Sequence, residues 1–284
     1  MIDSKTSALG LIGYPVKHSF SPQIHNYLFK KFNINAVYLC FEVAPFNLKE
    51  VLKGIVSLGF KGLNITIPHK EKIIRYLDKV EKEAKVIGAV NTVKIEKNKL
   101  YGFNTDGKGF VLSLKKYNFS PQGKNIFILG AGGAAKAISV YLAKEKVRSI
   151  FFYDLFHKKA VDLAKRIKDF SPQIKKIEPI KEKREIRLKD FDLLINATGV
   201  GLKEKDSLVI ELDDFKKDLI VYDLIYSPPE PILLKEAKKK GLFAINGLWM
   251  LIYQGLYAQK IWWGEDFFFE ADRIYKILLK DLRK

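Results

Sequence analysis

Short runs of β-branched and aromatic residues alternate along the chain with segments of helical length, and this alternation most narrows the folds open to it. Strands are expected at 8–13, 36–43, 62–67, 89–95, 125–130, 149–154, 192–197, 219–224 and 242–245. Between them, 46–57, 106–117, 133–146 and 231–240 have the length and apolar spacing of helices. Alternation at this interval specifies an α/β fold, with parallel sheets covered by helices on both faces. The turn-rich stretch KYNFSPQGKN (116–125) reads as a joint, and from residue 247 onward the pattern turns helical with aromatics at core spacing. At ~150 residues per domain, the 284 residues make two α/β domains and a C-terminal helical tail.

Composition removes several function classes. At 48% hydrophobic residues the chain buries enough apolar surface to offset its entropy, which excludes intrinsic disorder. Cys40 is the sole cysteine, so no disulfide can form within the chain. No run approaches the roughly 18 apolar residues of a membrane span. The start, MIDSKTSALGLIGYP, lacks a basic segment followed by an apolar one, so no secretory signal and a cytoplasmic setting are expected. The net charge of +18 raises a nucleic-acid partner. The lysines are dispersed among glutamates, however, as in KEKIIRYLDKVEKEAK, with no basic stripe; the reading is therefore no nucleic acid and no membrane. Abundant Lys and Glu with little Cys and Met resembles thermophile usage.

NIFILGAGGAAKAISVYLAK (125–144) joins a buried-strand pattern, a glycine turn and a helix-forming run. Gly130, Gly132 and Ala135 fit G-x-G-x-x-G/A where a Rossmann fold requires it, after a strand and opening a helix. The first glycine permits the tight turn, the second lets a pyrophosphate approach, and the helix N-terminus offers free N–H groups to phosphate. An acid is expected about 20 residues on. Asp154 ends SIFFYD, 24 positions after Gly130, and suits the ribose hydroxyls of a nicotinamide dinucleotide.

The first half gathers small polar residues at strand ends. Ser19 and Ser21 precede a helix expected to start near Pro22, a setting that suits a small carboxylate. Asn64, Thr66 and Lys70 end one strand; Asn91 lies in AVNTV, and Asn104 and Asp106 in GFNTDGKGF. Each has an ordinary reading: Ser21 or Asp106 as a helix cap, Lys70 as a solvated lysine. Together they supply hydroxyl, amide, ammonium and carboxylate groups for a polyhydroxylated acid. The four histidines lack ligand spacing, and no metal is expected.

The blocks GYPVKHSFSPQIHN, GLNITIPHK, IGAVNT, GFNTDGKGF, ILGAGGAAKA, LINATGVGL, VYDLIYSPPEPILL and NGLWMLIYQG occur in that order. In these the chain resembles the shikimate dehydrogenase (shikimate/quinate dehydrogenase) family over nearly its whole length. The resemblance implies an N-terminal α/β substrate domain (1–106) and a Rossmann dinucleotide domain (107–245), with C-terminal helices (246–284) returning to the substrate domain. It implies reversible NAD(P)-dependent reduction of 3-dehydroshikimate to shikimate, on the route to chorismate and the aromatic amino acids. Lys70 and Asp106 then fall on the family's catalytic pair, and Ser19 and Ser21 on its carboxylate-binding hydroxyls. Thr66, Asn91 and Gln254 fall on further substrate contacts, and Asn64 and Tyr226 line the pocket. Gly130, Ala131, Gly132, Gly133 and Ala134 fall on the phosphate loop, and Thr198 and Gly199 on a loop near the cofactor. Gly247 and Met250 fall beside the nicotinamide.

One departure bears on the cofactor, NADP or NAD. Asp154-Leu155-Phe156 stands where many members have Asn-Arg-Thr, so the arginine assigned to the 2′-phosphate of NADP is missing, which favours NAD or dual use. Within the enzyme class a dual quinate/shikimate dehydrogenase is the alternative; outside it, a basic Rossmann-like nucleic-acid-binding or regulatory protein. The active species is expected to be a monomer or homodimer.

Overall fold

The computed structural model describes residues 2–203 and 205–282. In chain order the elements are β1 (Ser7–Gly13), α1 (Ser21–Lys31), β2 (Ala36–Glu42), α2 (Leu48–Ser57), β3 (Gly62–Ile65), β4 (Lys79–Val80), α3 (Lys82–Ile87), β5 (Thr92–Glu96), β6 (Lys99–Phe103) and α4 (Asp106–Lys116). They continue with β7 (Asn125–Leu129), α5 (Gly133–Lys144), β8 (Ser149–Tyr153), α6 (His157–Phe170), β9 (Lys176–Pro179), β10 (Leu193–Asn196), β11 (Ile220–Asp223), α7 (Ile232–Lys239), β12 (Phe243–Asn246), α8 (Leu248–Trp263) and α9 (Ala271–Asp281). The contacts group into two compact units. One runs up to Gly109 and resumes at Leu251, and the other spans Phe110–Met250.

The first unit holds a six-stranded sheet ordered β2-β1-β3-β5-β6-β4. It is mixed rather than wholly parallel: β5 runs antiparallel to both β3 and β6. Where a single strand is expected at 89–95, β5 and β6 form a hairpin. Its turn is Lys97-Asn98, both with positive φ (50° and 60°). Two positive-φ residues suit the twist of a tight hairpin, but Lys-Asn lacks the glycine that usually announces one. On one side of the sheet Leu52, Ile65, Ile73 and Val93 are buried together. Leu9, Tyr38 and Trp262 of α8 form a second core. Gly62 makes room for Trp262: a Cβ there would lie 2.2 Å from the indole nitrogen, which itself donates to the carbonyl of Val93 at 3.0 Å.

The second unit is a six-stranded sheet ordered β12-β11-β10-β7-β8-β9, every neighbouring pair parallel. This is the doubly wound Rossmann order, with the order of strand addition reversing between β7 and β10, where such folds bind ligands. Its central strands β7, β10 and β11 are largely apolar because helices cover both faces; Phe127, Leu194 and Val221 are fully buried. Among the described residues, no helix is long and apolar enough to cross a membrane.

Candidate active site

In the first unit, Lys70 lies in the turn that follows β3. Its carbonyl accepts the N–H of Val90 at 2.8 Å. Beside it the buried His69 uses Nε2 to bind the carbonyl of Val43 at 2.7 Å, tying the turn to the end of β2. Lys70 Nζ donates to Asp106 Oδ2 at 2.6 Å, with both side chains largely withdrawn from solvent (15% and 6% exposed). Asp106 is the first residue of α4 rather than its cap. Its own N–H is received by Asn104 Oδ1 at 3.0 Å, and Asn104 is pinned in turn to the carbonyl of Ala89.

The other carboxylate oxygen of Asp106 accepts from Asn91 Nδ2 at 2.8 Å. The same amide reaches Thr105 Oγ1 at 2.9 Å and Gln254 Oε1 at 3.3 Å. Thus Lys70, Asp106, Asn91 and Gln254 form one hydrogen-bonded chain in that order. Asn64, on β3, donates to the carbonyl of Asn91 and to Thr92 Oγ1, both at 3.1 Å. Ser19 and Ser21 bond to each other: Ser19 Oγ donates to Ser21 Oγ at 3.1 Å and receives the N–H of Ser21 at 3.2 Å. Ser21 therefore does not cap α1, which has no side-chain cap. Thr66 is half-buried, its methyl packed where Gly13 has no side chain.

Tyr38, Thr92 and Thr105 did not emerge from the sequence reading. A signal was present in the two Asn-Thr pairs, 91–92 and 104–105. The hairpin register sets Thr92 opposite Phe103, so both pairs meet at its open end.

In the second unit Gly130 has a φ of +97°, and a Cβ there would stand 3.1 Å from the backbone of Ala197. Gly132 differs: no atom comes within 4 Å of where its side chain would be. α5 begins at Gly133 with no side-chain cap, leaving the first N–H groups to an outside acceptor. Ala134 is half-buried beside them. Asp154 Oδ2 accepts the N–H of Ala131 at 2.8 Å, and Oδ1 that of Phe156 at 2.9 Å. The glycine loop and the end of β8 are therefore locked together, and the open space over Gly132 fits a dinucleotide pyrophosphate. Thr198 donates its N–H and hydroxyl to Asn196 Oδ1 (3.1 and 2.6 Å), while Gly199 is exposed. Tyr226 is half-buried and Met250 buried.

Residues 11–93 match the model of the shikimate dehydrogenase substrate-binding domain. A shikimate dehydrogenase (NADP(+)) of Methanococcus maripaludis is 46% identical over 268 residues, covering 93% of this chain and 94% of that protein. The chain belongs to the shikimate dehydrogenase family. A solved shikimate dehydrogenase in complex with NADP+ superposes with a TM-score of 0.91 at 42% identity, covering 100% of this chain and 98% of the other. Shikimate 5-dehydrogenase from Listeria monocytogenes, in complex with shikimate and NAD, gives 0.86 at 34% identity, with 98% of each chain covered.

Within this family member, one buried acid stands apart from the residues singled out by sequence. Asp223, at the end of β11, is fully buried; it accepts from Asn196 Nδ2 at 2.9 Å and from the N–H of Ile225 at 2.9 Å. Burial pushes its carboxyl up to about 7, against the lowering effect of those two bonds. Between 3.8 and about 7 the folded chain therefore holds a proton that the unfolded chain has released. Stability from this group is complete below 3.8 and is lost as pH rises through 7. Comparing Asp223→Asn with the parent, the difference in unfolding free energy should change by on the order of a few kcal/mol across this window. Denaturant titrations at several pH values check it; identical pH slopes for the two proteins would contradict it.

Proposed function

We propose that the chain interconverts shikimate and 3-dehydroshikimate with a nicotinamide dinucleotide, as a step of chorismate and aromatic amino acid biosynthesis. The observation that carries this is the withdrawn Lys70–Asp106 pair, 2.6 Å apart and braced by Asn91. Oxidising a secondary alcohol removes a proton from oxygen and a hydride from carbon. A charged Lys70 has three hydrogens on Nζ, one held by Asp106 and the others free for a ring oxygen. In the reducing direction Lys70 gives one to the ketone oxygen, and in the oxidising direction the amine takes it back. Asp106 holds Nζ in position and accepts from Asn91 as well, so the proton donor cannot swing away.

In this reading residues 1–106 and 246–284 form the substrate domain, and 107–245 the dinucleotide domain. Ser19 and Ser21 receive the substrate carboxylate, and Asn64, Thr66, Asn91, Tyr226 and Gln254 its hydroxyls and ring. Gly130 to Ala134 hold the pyrophosphate, Thr198 and Gly199 lie in a loop near the cofactor, and Gly247 and Met250 contact the nicotinamide. Bound dinucleotide supplies the hydride acceptor. The steady-state test is oxidation of shikimate and of quinate with each dinucleotide. Shikimate is expected to exceed quinate in kcat/KM, because quinate adds a hydroxyl on the carbon beside the Ser19–Ser21 pair. Comparable values would make the enzyme a dual quinate/shikimate dehydrogenase.

The dinucleotide is NADP or NAD, with NAD used at least as well. Each oxygen of Asp154 accepts one backbone N–H and keeps a lone pair for an adenosine ribose hydroxyl. A 2′-phosphate would meet that carboxylate instead, and two unit charges ~4 Å apart at an effective dielectric near 20 repel by about 4 kcal/mol before solvent relaxation. The exposed Leu155 and Phe156 add no cation. A candidate counterweight is Lys159, whose Nζ lies 4.8 Å from the Phe156 ring. Asp154→Asn should shift the NADP/NAD ratio of kcat/KM towards NADP by roughly tenfold or more. A parent enzyme preferring NADP by more than about tenfold would overturn this and move attention to Lys158 and Lys159.

A further inference from the structure

We infer that Tyr38 and Thr92 are positioning residues for the dehydrogenase site, through a one-directional chain of buried hydrogen bonds that ends on Asp106. The inference rests on the reading of Lys70 and Asp106 given above. Thr92 and Tyr38 are both fully buried. Tyr38 donates its hydroxyl to Asn64 Oδ1 at 2.7 Å. Asn64 Nδ2 donates to Thr92 Oγ1 at 3.1 Å, and Thr92 Oγ1 donates onward to Asn91 Oδ1 at 3.0 Å. Asn91 Nδ2 then donates to Asp106 Oδ1, and Lys70 to Asp106 Oδ2.

The direction is fixed at both amides by backbone groups that can play one role only. Asn64 Nδ2 faces the carbonyl of Asn91, an obligatory acceptor. Its Oδ1 must therefore face Tyr38, which must donate. Asn91 Oδ1 receives the N–H of Thr105 at 2.8 Å, an obligatory donor, so Nδ2 must face Asp106. Between these two amides Thr92 is the one group that must accept and donate at once, which a hydroxyl can do and a hydrocarbon cannot. Tyr38 is equally constrained. Its ring stacks on His25 at 4.3 Å between centroids, and Asn26 bonds both its N–H and its carbonyl, at 2.8 and 2.9 Å. Burial pushes the Tyr38 hydroxyl well above its ordinary range, so it keeps the proton it donates.

Removing the Tyr38 hydroxyl takes away the donor to Asn64 Oδ1, and removing the Thr92 hydroxyl takes away one partner each of Asn64 Nδ2 and Asn91 Oδ1. The backbone bonds keep each amide's orientation, but each is held less tightly. Thr92→Val deletes the middle of the chain at nearly constant shape, and Thr92→Ser restores the oxygen. With shikimate as substrate, Thr92→Val should lower kcat roughly tenfold, with the KM for the dinucleotide unchanged, and Thr92→Ser should recover most of that loss. Tyr38→Phe, which acts at Asn64 rather than Asn91, should raise the KM for shikimate more than it lowers kcat. A Thr92→Val enzyme with parental kcat, or a Thr92→Ser enzyme as slow as Thr92→Val, would overturn the inference while leaving the dehydrogenase reading intact. A purely structural role would lower Tm in both and spare the kcat of the folded enzyme.

If the parent chain did not turn shikimate over, the dehydrogenase reading would fall, and with it the proposed role; the chain of bonds is then tested by side-chain amide NMR. Thr92→Val should shift the Nδ2 resonances of both Asn64 and Asn91, and unmoved resonances would overturn the chain itself. Should Thr92→Val fail to fold, Tyr38→Phe gives the same reading at Asn64.

Discussion

Lys70→Ala is expected to lower kcat for shikimate oxidation by at least about 100-fold, the lower end of what a positioned acid–base group contributes, while the KM for shikimate changes less. Lys70 Nζ stands 2.6 Å from Asp106 in a largely dry setting. Alanine would remove the group that gives and takes the hydroxyl proton and leave the carboxylate with Asn91 as its remaining side-chain donor. Asp106→Asn should slow turnover by a different route. The carboxylate accepts from Lys70 and Asn91 on separate oxygens, whereas an amide has one oxygen and turns its NH₂ toward the second donor. One of the two partners is then unpaired in a buried site, and the geometry at Nζ loosens. Steady-state kinetics of both variants check this. Near-parental kcat in Lys70→Ala would remove Lys70 from the mechanism.

The second large effect separates two glycines that sequence alone puts in one class. Gly247→Ala should lower Tm by on the order of 5–10 °C. A Cβ at Gly247 would lie 2.0 Å from the carbonyl oxygen of Leu224 and 2.6 Å from its carbon. Those are backbone atoms, and they cannot easily move. The N–H of Leu224 is bonded to the carbonyl of Asn196, and that of Gly247 to the carbonyl of Ile225. Overpacking costs about 1–3 kcal/mol and sometimes more, and each kcal/mol is worth about 2–4 °C in a domain of this size. Gly132→Ala meets no atom within 4 Å and should leave Tm nearly unchanged. Its methyl would instead fill the space over the α5 N-terminus and weaken dinucleotide binding. Thermal melts and dinucleotide titrations of the two variants distinguish them; equal Tm losses would contradict the assignment.

Much of the fold was legible because buried parallel strands declare themselves. β7, β8, β10 and β11 are short, apolar and flanked by helical segments. What escaped was polar or brief. β9 (Lys176–Pro179) is an edge strand of sequence KIEP within the most heavily charged stretch of the chain. β4 is two residues long. β6 is hidden because the Lys97-Asn98 turn carries no glycine.

In the candidate site, the residues found by sequence are those that carry a distinctive side chain within a motif: Lys70, Asp106, Asn91. Tyr38 and Thr92 were invisible because their meaning lies in partners 26 and 28 positions from one shared residue, Asn64. A buried tyrosine or threonine on a strand has an ordinary packing explanation until its hydroxyl is seen to be spoken for. Gly247 shows the converse: sequence resemblance marks it as a cofactor position, and the structure adds a steric reason for glycine in the packing against Leu224.

The central claim is hydride transfer from the carbon bearing the shikimate ring hydroxyl, with the proton handled by Lys70. Its most direct measurement uses shikimate deuterated at that carbon, with the reduced dinucleotide analysed for label. The account predicts that the deuterium appears in the reduced nicotinamide ring and that Lys70→Ala slows its appearance in proportion to kcat. Turnover that left the deuterium on the ring carbon, or released it to solvent, would contradict it.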